Sequence, residues 1–266
     1  MELSPRQVEI LRLLKANAGN VSSAELTEHF AVSVQTIRKD LNELNQQGLV
    51  NRVHGGIQLP TQSHNLSFSN RQVIHLQEKK QIAINLAEFL PEGASIFLGI
   101  GTTPQQLALQ LLHHPGLTVV TNNLNAAVAL CRNPNIQTYM VGGRIRATDQ
   151  DVVGEDATNY FRKFQVNYGI CGTGGISAQG DLLDFSPEES HLTQTILKNC
   201  EQRILIADHH KYLRSAPLKS GHLKQIDRFF TNQLDAPLAE LCHQLSIRVH
   251  TETPPAADLS QHVRQL

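Results

Sequence analysis

Residues 99–108 read GIGTTPQQLA and follow the apolar run Ile96-Phe97-Leu98. Gly99 and Gly101 let backbone N–H groups approach a ligand, Thr102 and Thr103 add hydroxyl donors, and a helix starting at Pro104 turns its positive dipole end toward an anion. Together they make a seat for a phosphate group. Small polar clusters recur after other strand-like runs: Asn122-Asn123, Gly142-Gly143-Arg144, Thr173-Gly174-Gly175 and Asp208-His209-His210-Lys211. Lys211 can close such a site as a point charge. The candidate anion-binding set is therefore Gly99, Gly101, Thr102, Thr103, Asn122, Asn123, Gly142, Gly143, Gly174 and Lys211. It is not a Walker loop, which needs a following Gly-Lys-Ser/Thr, nor a dinucleotide fingerprint, which needs a third glycine at its spacing.

These clusters share a place in the chain pattern. A helical stretch from about residue 78 to 90 precedes strand-like runs at 95–98, 117–121, 137–141, 167–172, 203–207, 227–231 and 247–251. Helical patterns lie between several of them, at 104–112, 124–131, 155–164, 188–199 and 238–245. Strand-helix alternation predicts an open, mainly parallel α/β sheet. Its ligand crevice lies at the carboxyl ends of the strands, where the clusters fall.

The first sixty residues carry a different constellation. Ser4-Pro5-Arg6-Gln7 and Ser22-Ser23-Ala24-Glu25 are capping boxes, the first leading into Val8, Leu11 and Leu14 on one face. Ser33 can cap a third helix with Val34, Ile37, Leu41 and Leu44 as its apolar stripe and Gly48 as its close. Opposite that stripe lie Gln35, Thr36, Lys39 and Asn42, with Arg38 on the flank. The next stretch, 49–59, alternates, turns at His54-Gly55-Gly56 and returns, which predicts a β-hairpin with Arg52 and His54 near its tip. This is a winged helix-turn-helix, whose second helix can enter a major groove. The candidate DNA-binding residues are Ser33, Gln35, Thr36, Arg38, Lys39, Asn42, Arg52 and His54. Six Lys/Arg face six Asp/Glu in residues 1–60, so charge alone leaves a three-helix protein-interaction module open.

The whole chain of 266 residues has a formal net charge of −1, so any DNA contact must come from local placement. Cys131, Cys171, Cys200 and Cys242 are far apart and read as buried small hydrophobes of a reducing compartment. The doublets His113-His114 and His209-His210 do not make a metal face, because sequence neighbours point apart, and they read as surface or loop residues. No metal or cofactor is expected. Without an apolar signal core or a long apolar run, the chain reads as soluble and cytoplasmic. The expected domains are a DNA-binding unit at 1–60, a polar linker at 61–77, an α/β domain at 78–252 and a flexible tail at 253–266.

The strings VSVQTIRKDLNELNQQGLVNRVHGG, IGTTPQQLA, TNNLNAA, VGGRIR, GTGGIS and ADHHKY resemble a DeoR-family transcriptional regulator, and GTTP followed by TNNLN is most similar to its glycerol-3-phosphate repressor branch. The resemblance implies a DNA-binding repressor of a carbohydrate or polyol operon, with a sensor domain similar in fold to ribose-5-phosphate isomerase. Its implied partners are operator DNA, a phosphorylated sugar or polyol effector and further copies of the chain as a dimer or tetramer. The chain departs from the family's usual pattern at Gly99, where an acidic residue is common, and at Thr193-Gln194, where a basic pair is common. The rival reading is a sugar-phosphate isomerase or deaminase with an accessory N-terminal domain. Its acid/base candidates are Asp184, Glu188, Glu189, His191 and Asp208.

Overall fold

The computed structural model describes residues 3–17, 19–46, 49–58 and 65–251, which divide into two compact units meeting between Ile74 and His75. In the first, α1 (Pro5–Ala16) and α2 (Ser23–Phe30) begin at full capping boxes on Ser4/Gln7 and Ser22/Glu25. Helix α3 (Val34–Gln46) begins where Ser33 Oγ accepts from the Thr36 N–H at 3.2 Å. Ile10, Leu14, Leu26, Ile37, Leu41 and Leu44 form the core with Val21, Val50 and Ile57.

Two apolar expectations are corrected. Val8 and Val34 are exposed, at 53 % and 47 %. The buried stripe of α1 is Gln7, Ile10 and Leu14. Gln7 goes inside because its amide is satisfied: it accepts from the Ser4 N–H and donates to Glu43 at 2.6 Å.

Strand β1 (Asn20–Ser22) joins the hairpin of β2 (Asn51–Val53) and β3 (Gly56–Gln58) in the order β1-β3-β2. The hairpin turns on Gly55, whose φ of +82° favours glycine, and a Cβ on Gly56 would lie 2.3 Å from the Val21 carbonyl oxygen. That close approach lets the hairpin pair with β1. Gly48, residue 59, linker residues 61–64 and the tail at 253–266 lie outside the described residues. Within the stretch expected as linker, α4 (Phe68–Val73) buries Phe68, and α5 (Leu76–Phe89) begins the second unit.

The second unit is built on seven parallel strands. They are β4 (Ala94–Leu98), β5 (Leu117–Thr121), β6 (Ile136–Met140), β9 (Val166–Cys171), β12 (Cys200–Ile206), β14 (Arg228–Phe230) and β15 (Arg248–His250). Their order is β15-β14-β12-β9-β4-β5-β6. The helices are α6 (Thr102–Gln110), α7 (Leu124–Leu130), α8 (Glu155–Phe161), α9 (Pro187–Lys198) and α10 (Ala236–Gln244). Alternation along β4 sends Ile96 and Leu98 into a core with Ile82, Leu86, Leu107 and Leu130, and Phe97 into one with Phe161, Leu192 and Ile196. Both faces of the sheet are thus covered.

Two antiparallel additions escape the alternation rule: a hairpin of β7 (Arg144–Arg146) and β8 (Asp151–Val153), and a sheet of β10 (Gly175–Ile176), β11 (Asp181–Asp184) and β13 (Leu218–His222). Cys171, Cys200 and Cys242 are buried as expected, but Cys131, at the end of α7, is exposed. Among the described residues no helix is long and apolar enough to cross a membrane.

Candidate functional site

The chain leaves β4 in one direction toward β5 and β6 and later returns on its other side as β9 and β12. The topological switch point is therefore the β4/β9 pair, where a crevice opens at the carboxyl ends. Gly99 to Thr103 follow β4 there, and Gly172 to Gly174 follow β9.

At this edge the helix starts at Thr102, two residues before the expected Pro104. Gly101 is its N-cap, with a φ of +116° that favours glycine. The backbone N–H groups of Gly101, Thr102 and Thr103 make no hydrogen bond among the described residues, as the first turn of a helix requires. The Gly99 N–H is different. It donates to the Ile170 carbonyl at 2.9 Å, so it belongs to the sheet and not to an anion cradle. A side chain at position 99 would meet Ile170 O at 3.3 Å and Ile196 Cδ1 at 3.4 Å.

Asn123 acts as a strut. Its Nδ2 donates to Gly101 O at 3.0 Å and its Oδ1 accepts from the Ala126 N–H at 3.1 Å, capping α7. Thr121, unremarked in the sequence, donates to Leu98 O at 2.7 Å and accepts from the Asn123 N–H. Asn122 is fully buried; its Nδ2 donates to Val152 O, while Oδ1 has no hydrogen-bond partner among the described residues. The β7–β8 hairpin is bound over the end of β5 through Asn122, Asn123 and residues 151–152. Gly142 and Gly143, which lead into it, are exposed.

On the β9 side the Gly174 N–H donates to Asp184 Oδ1 at 2.9 Å, so this glycine too has a committed donor. Burial pushes the Asp184 carboxyl up to about 7, with Glu189 adding to the shift while the Gly174 N–H and Lys211 oppose it. Lys211, half-buried, ends the 3-10 turn His209–Lys211. Asp208 heads that turn. Burial favours its neutral form, but His210, Lys211, His75 and Lys79 outweigh burial and hold the carboxyl below the usual range.

Asp184 sets a pH dependence. A carboxyl raised on folding contributes stability that is full below its unfolded value and lost as pH rises through its folded value. Asp184→Asn, which keeps an acceptor for Gly174, should therefore flatten the part of that loss falling between about pH 4 and 7, and raise stability at pH 8. Urea titrations of both proteins across this window check it; parallel curves would assign the dependence elsewhere.

A buried ion cluster supports the hairpin. Arg146 pairs with Asp151, lies 2.9 Å from Glu189 and 3.8 Å from Asp149, and donates to Ser186 at 3.2 Å. Arg144 reaches Glu188 at 2.9 Å on the surface. Glu189 also accepts from the Phe185 N–H, so two of the acids weighed for catalysis, Asp184 and Glu189, are tied to backbone groups.

In the first unit, Gln35, Arg38, Lys39 and Asn42 are exposed along α3, Thr36 is half-buried, and Ser33 is occupied as a cap. Arg52 of the wing donates through Nη1 to Asn42 Oδ1 at 3.2 Å and through its backbone N–H to Asn45 Oδ1 at 3.1 Å. His54 is exposed at the tip. The even charge count now has a local meaning. Arg6 is paired with buried Asp40 and Arg12 with Glu9, whereas Arg38, Lys39 and Arg52 are exposed on the candidate reading face.

Residues 74–233 match the DeoR C terminal sensor domain, and residues 6–63 match the DeoR-like helix-turn-helix domain. The chain is 39 % identical over 237 residues to the glycerol-3-phosphate regulon repressor of Escherichia coli, covering 89 % of this chain and 92 % of that one. It is 38 % identical to the protein of the same name from Haemophilus influenzae, covering 88 % and 91 %, and 34 % identical to the transcriptional repressor CsqR of Escherichia coli, covering 87 % and 88 %. Among solved structures, a ribose 5-phosphate isomerase from Methanocaldococcus jannaschii aligns over 53 % of this chain and 56 % of its own, at 12 % identity and a TM-score of 0.39.

Proposed function

The chain belongs to the DeoR family of transcriptional regulators, and from that premise we propose that it represses a carbohydrate or polyol catabolic operon until a phosphorylated sugar or polyol binds its sensor domain. The observation that carries the reading is the open N-terminus of α6. Three adjacent N–H groups at Gly101, Thr102 and Thr103 meet at the switch point of a parallel sheet, in a chain that also bears a winged helix. Repressors of a glycerol-3-phosphate regulon among its relatives favour a small polyol phosphate.

The phosphate sits on those N–H groups and the two threonine hydroxyls, and Lys211 supplies the opposing charge. Thr121 and Asn123 hold the loop in shape. The buried Asn122 Oδ1 is an acceptor for an effector hydroxyl. Release of DNA follows if the effector binds the low-affinity state more tightly than the DNA-bound state. One winged helix reads one half-site, so the regulator acts as a homo-oligomer.

The deciding experiment is a thermal-shift screen of glycerol 3-phosphate and related sugar and polyol phosphates, followed by operator binding with the best stabiliser. A ligand at 100 times its Kd adds about 2.7 kcal/mol of apparent stability. A panel in which no phosphate stabilises the chain or weakens operator binding would defeat the proposal.

On the DNA side, Gln35, Lys39 and Thr36 are assigned to base edges or groove phosphates, and Arg38 and Arg52 to phosphates. Arg38→Ala should weaken binding to all sequences and lower the slope of log K against log salt by roughly one phosphate contact. Lys39→Ala should change sequence preference more. Salt titrations on specific and non-specific duplexes measure both, and an unchanged slope for Arg38→Ala would contradict its assignment.

A further inference from the structure

Two histidines 135 positions apart in the sequence, His75 and His210, stack with ring centroids 3.5 Å apart and planes inclined by 14°. His75 caps the start of α5 with a φ of +53°, a conformation L side chains rarely adopt. Glu78, one turn on, places Oε1 3.7 Å from His75 Nδ1. One ligating atom from each of His75, Glu78 and His210 lies within 4.8 Å of the other two. His210 Nδ1 is buried without a hydrogen-bond partner among the described residues and lies 3.4 Å from the oxygen of Asp208, itself 1 % exposed.

We propose that His75, Glu78 and His210 form a binding site for a borderline divalent transition-metal ion of the Zn²⁺, Co²⁺ or Ni²⁺ class. Two imidazoles and one carboxylate are the donor set such ions select, whereas Mg²⁺ and Ca²⁺ favour oxygen alone. The i, i+3 spacing of His75 and Glu78 presents two donors on one side of a helix start. Asp208 is the carboxylate behind the third donor, the arrangement that orients a ligating histidine and raises its basicity. An ion held about 2.1 Å from each donor draws the three atoms closer than they now lie and turns the two rings out of their parallel stack. Water completes the coordination.

The location gives the site a consequence. His75 is the first residue of the sensor unit, and His210 precedes Lys211 in the same 3-10 turn. A bound ion fastens the start of α5 to the turn that carries Lys211 and adds positive charge beside it. Metal occupancy should therefore change the affinity for an anionic effector.

The test uses the full-length chain without a histidine tag, stripped of metal by a chelator. Titration with Co²⁺ should give visible absorption of a four- or five-coordinate ion, saturating at one ion per chain, with Zn²⁺ displacing it and Mg²⁺ failing to. His75→Gln and His210→Ser should each weaken binding at least about tenfold, and Asp208→Asn about 10- to 100-fold, while the same change at exposed His113 leaves it intact. Glu78→Gln, a substitution on the surface of α5, serves as the further variant should either histidine change prevent folding. Absence of saturable binding overturns the proposal, as does binding equal in wild type and all three ligand variants. Effector affinity with and without Zn²⁺ then reads the coupling; equal affinities would confine the ion to a structural role and overturn the regulatory part.

Discussion

Thr102→Asp should bind operator as the wild type does and fail to release it when the phosphorylated effector is added. Thr102 is the first residue of α6 and is 5 % exposed. A carboxylate there takes up the N–H groups assigned to the phosphate and sets a negative charge against the effector's own. At 4 Å and an effective dielectric of 20, two unit charges repel by about 4 kcal/mol, close to a thousandfold in affinity. An acidic residue at a helix N-terminus is otherwise favourable, so the fold has little to lose. The groove-facing residues belong to the other compact unit. Operator titrations with and without the best-stabilising phosphate decide the matter, with a thermal melt to confirm folding. A folded variant that still responds as the wild type does would remove this loop from sensing.

Arg146→Met should destabilise the sensor unit by about 3–5 kcal/mol. Arg146 lies between Asp151, which is 1 % exposed, and Glu189, 4 % exposed. Burial already pushes the Asp151 carboxyl above its usual value, with the Arg146 guanidinium as its main relief, and the same acids raise the guanidinium's own pKa. Removing the guanidinium leaves two buried acids facing an apolar methionine. The pH signature separates this loss from a packing defect. Protonation discharges the stranded carboxylates, so the deficit against wild type should shrink as pH falls from 8 to 5. Urea unfolding of both proteins at the two pH values measures it, and a deficit independent of pH would point to lost packing.

The parallel sheet was legible because its strands are short apolar runs separated by helical periods, and all seven such runs became its strands. The capping boxes were legible because they are local. Errors arose where a side chain's fate depends on a distant partner. Gln7 displaced Val8 from the buried face of α1 because Glu43 waits across the unit. The hydrogen bond of Gly99 to Ile170 depends on strand order, which periodicity does not encode. Arg146 and Glu189, 43 positions apart, and His75 and His210 meet only through the fold. The hairpin of β7 and β8 has three residues a side, too few to show alternation.

Asn123 places a limit on how this sensor can diverge. Both ends of its amide are engaged, one to Gly101 O and the other to the α7 N-terminus. An aspartate at this position keeps the cap but sets a carboxylate oxygen against a carbonyl oxygen, and the loop proposed for the phosphate loses its shape. Descendants that acquire a taste for a different metabolite should therefore keep Asn123 while drifting at Asn122, whose Oδ1 is uncommitted among the described residues, and at the exposed Gly142 and Gly143. Recognition of the phosphate and choice of the carbon skeleton become separately heritable traits, which is how one scaffold could be passed among many nutrients without being rebuilt.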